Sequence, residues 1–227
     1  MRKPEELINE ALKKGQSTLS EYGSKQILAY FGIPVCREAI AYNVDSAAPE
    51  AERIGFPIAL KACGAGLTHK TELGGVVLNI RSQKELKGEG ERLLGILGCE
   101  ALLVQEMVHG HRELTCGLSR DRLFGPCVMF GLGGVLTEIL EDVIFRLAPI
   151  TPSVAREMVQ DIRSRRILEA VRGEAAVDIE VLAKTLVTLG EIALQHEEIA
   201  EIDINPLRIR PDGKPVSVDA LVVVKAI

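Results

Sequence analysis

The sequence predicts a mixed α/β fold of two lobes. Three observations carry this: helically spaced apolar residues near the N-terminus, short apolar strands crowded between residues 101 and 149, and a strand, turn and strand at the end. At 227 residues the chain lies near the upper end of what a single hydrophobic core supports, so one domain of two lobes or subdomains is expected.

The elements follow in order. Leu7, Ile8, Ala11 and Leu12 mark a helix over 4–14, stopped by Gly15. Ser20 stands as an N-cap before "EYGSKQILAYFG", whose Ile27, Leu28 and Phe31 share a face, and Gly32 and Pro34 end it. "VCREAIAY" alternates as a strand, "SAAPEAERIG" reads as a helix, and "PIALKA" and "GVVLNI" read as strands flanking a glycine-rich loop. A helix over about 82–97 precedes "ALLVQEMV" and "RELTCGLS", two strands expected to pair across "HGH". "PCVMFG", "VLTEIL" and "VIFRLAP" continue the β pattern, and helices are expected at about 152–160, 164–171 and 178–195. "AEIDINPLRIRPDGKPVSVDALVVV" closes the chain as two strands, a "PDG" turn and a third strand.

Composition excludes several classes. Hydrophobic residues are 47% and charged residues 26%, ordinary for a globular protein, and the formal net charge of −5 with no basic block beyond "RSRR" argues against nucleic acid. Five cysteines, odd in number and without a C-x-x-C pair, signal neither a disulfide framework nor a zinc site. No stretch reaches the roughly 20 apolar residues that span a bilayer, and the N-terminus has no apolar core, so no membrane association and a cytoplasmic location are expected.

The chemistry concentrates in three places. Lys61 ends an apolar strand, where it either meets an anion or snorkels to the surface. Gly64, Gly66, Gly74 and Gly75 follow, in "GAGLTHKTELGGV", a spacing that is neither a P-loop nor G-x-G-x-x-G. His69 sits mid-loop; a ring of pKa near 6.5 is a competent phosphoryl nucleophile or a hydrogen-bonded surface residue. Glu106 and Glu113 are candidates for a ribose diol or edge-strand charges, and His109 with His111 is a weak metal pair. In "EIDINPL" the strand period puts Asp203 and Asn205 on one side, and the turn at 211–213 returns Asp219 toward them. Such a set suits Mg²⁺, and Pro206 is expected to limit pairing just beyond.

Together these segments resemble the ATP-grasp superfamily, and within it the nucleotide-binding β subunits of ADP-forming acyl-CoA synthetases (acetate–CoA ligase, ADP-forming). "LSEYGSKQILAYFGIPV" is similar to the opening of that subunit, "FPIALKACGAGLTHKTELGGV" to its lysine and phosphate loop, "FGPCVMFGLGGVLTEILEDVIFRLAP" to its central segment and "EIDINPL" to its metal strand. The resemblance implies an ATP-grasp fold whose two subdomains, about 20–110 and 111–227, hold ATP or ADP between two sheets. It implies nucleotide phosphates at Lys61, Gly64, Gly66, Lys70 and Gly75, adenine at the backbone of Glu106, Met107 and Val108, ribose at Glu113, and Mg²⁺ at Asn205 and Asp219. Asp203 occupies an acidic position that is a ligand in some ATP-grasp enzymes and a neighbour in others.

Succinyl-CoA synthetase β subunits resemble this chain at the lysine and metal strands but have a Gly-Arg-Gly-Lys type loop where this chain has His69. The resemblance therefore makes His69 the carrier of phosphate between a phosphohistidine on a partner α subunit and ADP. Glu138 and Arg146 are candidates to orient that histidine and to steady the phosphate. No CoA-binding half is present in the sequence, so a partner α subunit with a CoA-binding domain and a second phosphohistidine is expected, as an α₂β₂ heterotetramer by family analogy. A stand-alone carboxylate ligase and a nucleotide-sensing module are the other readings the residues leave open.

Overall fold

The computed structural model describes residues 2–67, 70–134 and 140–226. It contains two antiparallel sheets, each with helices over one face. The smaller sheet has the order β1-β4-β2-β3, from β1 (Glu38–Ala41), β2 (Ile58–Cys63), β3 (Val76–Ile80) and β4 (Ala101–Glu106). Helices α3 (Val44–Ile54) and α4 (Gln83–Leu94) cover it, packing Ala47, Ala51, Leu86 and Leu93 against Ile58, Leu60, Ala62, Leu102 and Val104. Each has a polar start: the Asn43 side chain accepts from Ser46 N–H, and the Ser82 hydroxyl accepts from Glu85 N–H.

The larger sheet has the order β10-β8-β5-β6-β7, with β9 pairing β8. Its strands are β5 (Arg112–Asp121), β6 (Gly125–Leu132), β7 (Val143–Leu147), β8 (Ile199–Ile209), β9 (Pro215–Ser217) and β10 (Leu221–Val224). Helices α5 (Pro152–Asp161) and α6 (Ile179–Gln195) pack over it, and so do α1 (Pro4–Lys13) and α2 (Glu21–Tyr30), whose Leu7, Ile8, Ala11, Ile27 and Leu28 enter the same core as Leu114, Cys116, Phe130, Ile202 and Ile204. Ser20 caps α2 as expected, its hydroxyl accepting from Gly23 N–H.

Three expectations are corrected. The two strands flanking "HGH" do not pair: β4 belongs to the smaller sheet and β5 to the larger, so residues 107–111 are the crossover between sheets and His109 and His111 lie on no strand. Residues 165–168 form a short 3₁₀ turn rather than a helix. "IAEIDINPLRI" is one strand rather than two, because Pro206 sits in an irregularity where two residues of β5, Leu114 and Cys116, pair with Leu207 and Ile204 across an unequal span. A proline without an N–H is tolerated at such a bulge, so Pro206 bends the pairing without ending it. Most of "VLTEIL" lies outside the described residues.

The bulge also flips the parity of β8. Ile202 and Ile204 face the core before it, and Leu207 and Ile209 face the core after it. Asp203 and Arg208 consequently emerge on the same, helix-free face.

Phe130 is fully buried at the centre of the larger core. Phe130→Ala is expected to cost about 3–5 kcal/mol of unfolding free energy, read from urea titration at unchanged slope; a loss below about 1 kcal/mol would contradict this packing.

Candidate active site

Strand β2 is buried on both faces, which is why its sequence reads as an apolar run interrupted only by Lys61. Leu60 and Ala62 point to the helices of the smaller sheet, so Lys61 points the other way, toward α2 and the larger lobe. Its ammonium donates to Glu21 Oε1 at 2.7 Å and to the Val218 carbonyl at 3.1 Å. Lys70, from the glycine-rich loop, ion-pairs with Glu21 Oε2 at 2.7 Å and Asp219 Oδ2 at 2.8 Å. Both lysines are nearly inaccessible, so Lys61 does not snorkel to the surface.

Two glycines of the loop have separate reasons to be glycine. A Cβ on Gly64 would lie 2.1 Å from the Gly98 carbonyl, and Gly66 has φ of +90°, where side chains are strained. Gly75 N–H closes the loop on the Lys70 carbonyl at 2.6 Å. Glu21, Gly64, Gly66, Lys70, Asp203, Asn205 and Asp219 all line one cavity of about 160 Å³. A larger cavity of about 590 Å³ lies beside it, between α1, α2 and the β1–β4 side of the smaller sheet. Lys70 and the metal-strand side chains line the smaller one, with Lys61 behind it on Glu21, and charge rather than volume locates the chemistry.

The metal-strand residues converge through the larger sheet. Asp203 is opposite Leu221 on β10 and opposite Gly117 on β5, and the connection from β9 to β10 brings Val218 and Asp219 beside the bulge, where Val218 N–H donates to the Pro206 carbonyl. Asn205 Oδ1 accepts from Gly134 N–H at 3.3 Å. Burial pushes the Asp203 carboxyl up to about 6, with Glu201 and Asp219 adding to the effect and the Thr115 hydroxyl opposing it. A cation beside this half-buried carboxylate and its like-charged neighbours would stabilise the ionised form, and carboxylate, amide and carboxylate oxygens beside a phosphate-sized cavity are the donors Mg²⁺ prefers.

Around Lys61 the electrostatics run the opposite way. Burial alone would raise the Glu21 carboxyl, but Lys25, Lys61 and Lys70 outweigh it and hold the group far below the usual carboxylate range. Burial likewise disfavours the Lys70 ammonium, and Glu21 and Asp219 more than restore it.

The crossover residues sit at a second polar cluster. Glu106 accepts from Arg37 N–H at 2.8 Å and from Arg210 Nη2 at 2.5 Å, and its own N–H donates to the Arg37 carbonyl. Val108 is buried and its carbonyl accepts from Arg208 Nη1 at 3.3 Å, while Met107 is half-buried. Arg208 also pairs with Glu113, directly opposite it in the sheet. Glu113 packs against Gly134, where a Cβ would meet its Oε2 at 2.2 Å, and so adjoins Asn205.

The structure thus brings Lys61, Gly64, Gly66, Lys70, Asp203, Asn205 and Asp219 together, with Glu113 next to them. It does not bring Arg146 there: Arg146 is opposite the core residue Val128, on the helix-covered face, and donates to Asp161 at 2.9 Å. His69 and Glu138 lie outside the described residues. Sequence reasoning missed Glu21, Lys25 and Arg208. The spacing of Glu21 and Lys25, four apart on a helix, was a usable signal; Arg208 was hidden by the parity flip.

Residues 10–224 match the ATP-grasp domain family. The chain belongs to the ATP-grasp family. Among ATP-grasp proteins, the β subunit of acetate–CoA ligase (ADP-forming) I from Pyrococcus furiosus is 39% identical over 96% of this chain and 96% of its own length. The β subunit of the form II enzyme from the same organism is 36% identical over 96% and 97%. The ADP-forming acetate–CoA ligase I of Archaeoglobus fulgidus is 41% identical over 94% of this chain, which spans 32% of that longer protein. Identity over whole subunits places the chain among the β subunits of ADP-forming acetate–CoA ligases. A solved structure of the Candidatus Korarchaeum cryptofilum dinucleotide-forming acetyl-coenzyme A synthetase 1 in complex with coenzyme A, Ca-AMPCP and HgCl+ superposes with a TM-score of 0.91 at 36% identity, covering 97% of this chain and 99% of that one. Another structure of that synthetase, with coenzyme A and Mg-AMPPCP and its phosphohistidine segment pointing towards the nucleotide-binding site, gives 0.86 at 36% identity over 98% and 100%. The expected ATP-grasp fold of two sheets is therefore borne out.

The Asp203 environment fixes a sign. Its carboxyl is raised on folding, so the protein is favoured where Asp203 is protonated in both states and loses that advantage as pH rises from about 4 to about 6. In chelator, Asp203→Asn is expected to unfold at a higher temperature than the parent at pH 8, by up to about 3 kcal/mol of stability, with the difference vanishing near pH 4. A variant less stable at pH 8 would contradict it.

Proposed function

We propose that the cavity between the two sheets is the nucleotide phosphate site of an ADP-forming acyl-CoA synthetase, and that His69 delivers phosphate to it. The reaction is acyl-CoA + ADP + phosphate ⇌ carboxylic acid + CoA + ATP. The observation that carries the reading is the convergence of the buried Lys70 ammonium and three oxygen-bearing side chains, Asp203, Asn205 and Asp219, on one small cavity, with the buried Lys61 ammonium held beside it on the cavity-lining Glu21. Likeness to the Pyrococcus β subunits supports it, as does likeness to the Korarchaeum synthetase, whose phosphohistidine segment points towards its nucleotide-binding site.

In this reading Lys61 and Lys70 bind the terminal phosphates, with Gly64, Gly66 and Gly75 shaping the loop around them. Asp203, Asn205 and Asp219 hold Mg²⁺, which supplies charge neutralisation for the phosphoryl group. Glu113 takes the ribose diol by exchanging its Arg208 partner, and the Glu106–Val108 crossover takes the base. A His69 ring nitrogen receives the phosphoryl group from a partner phosphohistidine, breaking one P–N bond and forming another. Attack by a terminal ADP oxygen then breaks the P–N bond at His69, forms the P–O bond of ATP and returns the ring lone pair. Most of the catalytic benefit is positioning and charge stabilisation in a water-poor cavity. Glu138 orients the histidine. Arg146, turned to the opposite face, has no part in the phosphate site. The acyl and CoA chemistry falls to an α chain with a CoA-binding domain and its own phosphohistidine, assembled as an α₂β₂ heterotetramer in the cytoplasm.

Incubation with γ-labelled ATP and Mg²⁺ tests the relay, with the partner chain present. Acid-labile, alkali-stable label on this chain is expected for the parent and absent in His69→Ala. Label that persists in His69→Ala would overturn the assignment, and ligation that continues without any label would favour a stand-alone ligase.

A further inference from the structure

Both phosphate-facing lysines are already paired inside the protein, and one carboxylate is common to the two. Glu21, the first residue of α2, places Oε1 at 2.7 Å from Lys61 Nζ and Oε2 at 2.7 Å from Lys70 Nζ. Behind it, Lys25 pairs with the same Oε1 at 2.7 Å and with Glu38. The side chains of Glu21, Lys25, Lys61 and Lys70 are 4%, 0%, 5% and 9% exposed. Burying this many charges is not an economical route to stability, since the desolvation cost commonly matches the Coulombic gain.

The placement separates a fixed part from an exchangeable one. Glu21 and Val218 belong to the larger lobe, whereas Lys61 rises from the smaller sheet and Lys70 from the loop. Lys25 fastens Glu21 from the rear, through its own helix and through the Val218 carbonyl at 3.2 Å. Glu21 is therefore held whether or not Lys61 and Lys70 stay with it. With all groups ionised, Lys25, Lys61 and Lys70 balance Glu21, Glu38 and Asp219, so the cluster is neutral without ligand.

We propose that Glu21 is a positioning residue that stands in for a nucleotide phosphate: it holds the ammonium groups of Lys61 and Lys70 at a fixed separation beside the cavity, and competes with the arriving phosphate for them. The inference rests on the nucleotide reading above. It has two consequences of opposite sign. An internal competitor weakens nucleotide binding, which favours release of ATP in the forming direction, while the fixed lysines favour the transfer itself. A residue serving only the fold would, when replaced, weaken both.

The test is the affinity of the full chain for Mg·ADP by calorimetry, beside turnover in its complex with the partner chain. Glu21→Gln, nearly isosteric, is expected to lower Kd for Mg·ADP about tenfold, as for release of one buried charged contact, while turnover falls by about tenfold or more. Glu21→Asp keeps the charge but is one methylene too short to bridge both lysines, and its Kd is expected between the parent and Glu21→Gln. Folded Glu21→Gln that binds Mg·ADP no more tightly than the parent would overturn the proposal. If Glu21→Gln does not fold, Glu21→Asp decides: a Kd equal to or above the parent's is equally fatal. A parent that binds no Mg·ADP would instead overturn the nucleotide reading itself, so the two failures are distinguishable.

Discussion

A single carbonyl oxygen, that of Val218, accepts hydrogen bonds from Lys25 at 3.2 Å, Lys61 at 3.1 Å and Gln105 at 3.1 Å. Lys61 and Gln105 belong to the smaller sheet, Lys25 to α2, and Val218 to the connection that delivers Asp219 to the cavity. Glu21 lies against the same ammonium groups from the other side. Two lobes with separate apolar cores are thereby joined by a buried polar seam, and the side chains fit for phosphate and metal are drawn from it. A seam of this kind, its ammonium groups all paired although Gln105 Oε1 has no hydrogen-bond partner, fixes geometry more than it adds stability, because each ion loses its hydration to enter.

The larger sheet supplies the other half of the arrangement through one irregularity. The bulge at Pro206 lets β8 keep pairing to Ile209 while its inward parity reverses, so Asp203 before it and Arg208 after it share the open face. Without the bulge, Arg208 would turn into the core. The same open face presents Glu113, and the missing side chain of Gly134 lets that carboxylate lie beside Asn205. Two buried carboxyls end in opposite states: Glu21, among three ammonium groups, stays ionised despite its burial, while Asp203 is driven toward its protonated form by burial, with Glu201 and Asp219 adding to the effect.

Much of this was legible in the chain because the deciding signals are local. The Ser20 cap, the apolar run around Lys61, the glycines of the following loop and the Asp-x-Asn spacing on β8 are each readable within ten residues. What was not legible depends on which surfaces meet. Strands β4 and β5 have the same two-residue period whether they pair with each other or join separate sheets, so Glu106 and Glu113 looked like neighbours across a turn. Arg146 follows Phe145 in a strand whose two faces are both partly apolar, and only its register opposite Val128 assigns it to the helix-covered side. Glu21 stands 40 residues from Lys61, a pairing that no local pattern encodes.

The most direct measurement is a crystal structure of the protein with Mg²⁺ and a non-hydrolysable ATP analogue. The account predicts terminal phosphates in the smaller cavity, within hydrogen-bond reach of Lys61 and Lys70, with the metal on the oxygens of Asp203, Asn205 or Asp219 and with Glu21 still fastened by Lys25. A nucleotide seated instead in the larger cavity lined by Tyr22, Tyr42 and Lys14, with Lys61 undisturbed on Glu21, would contradict it.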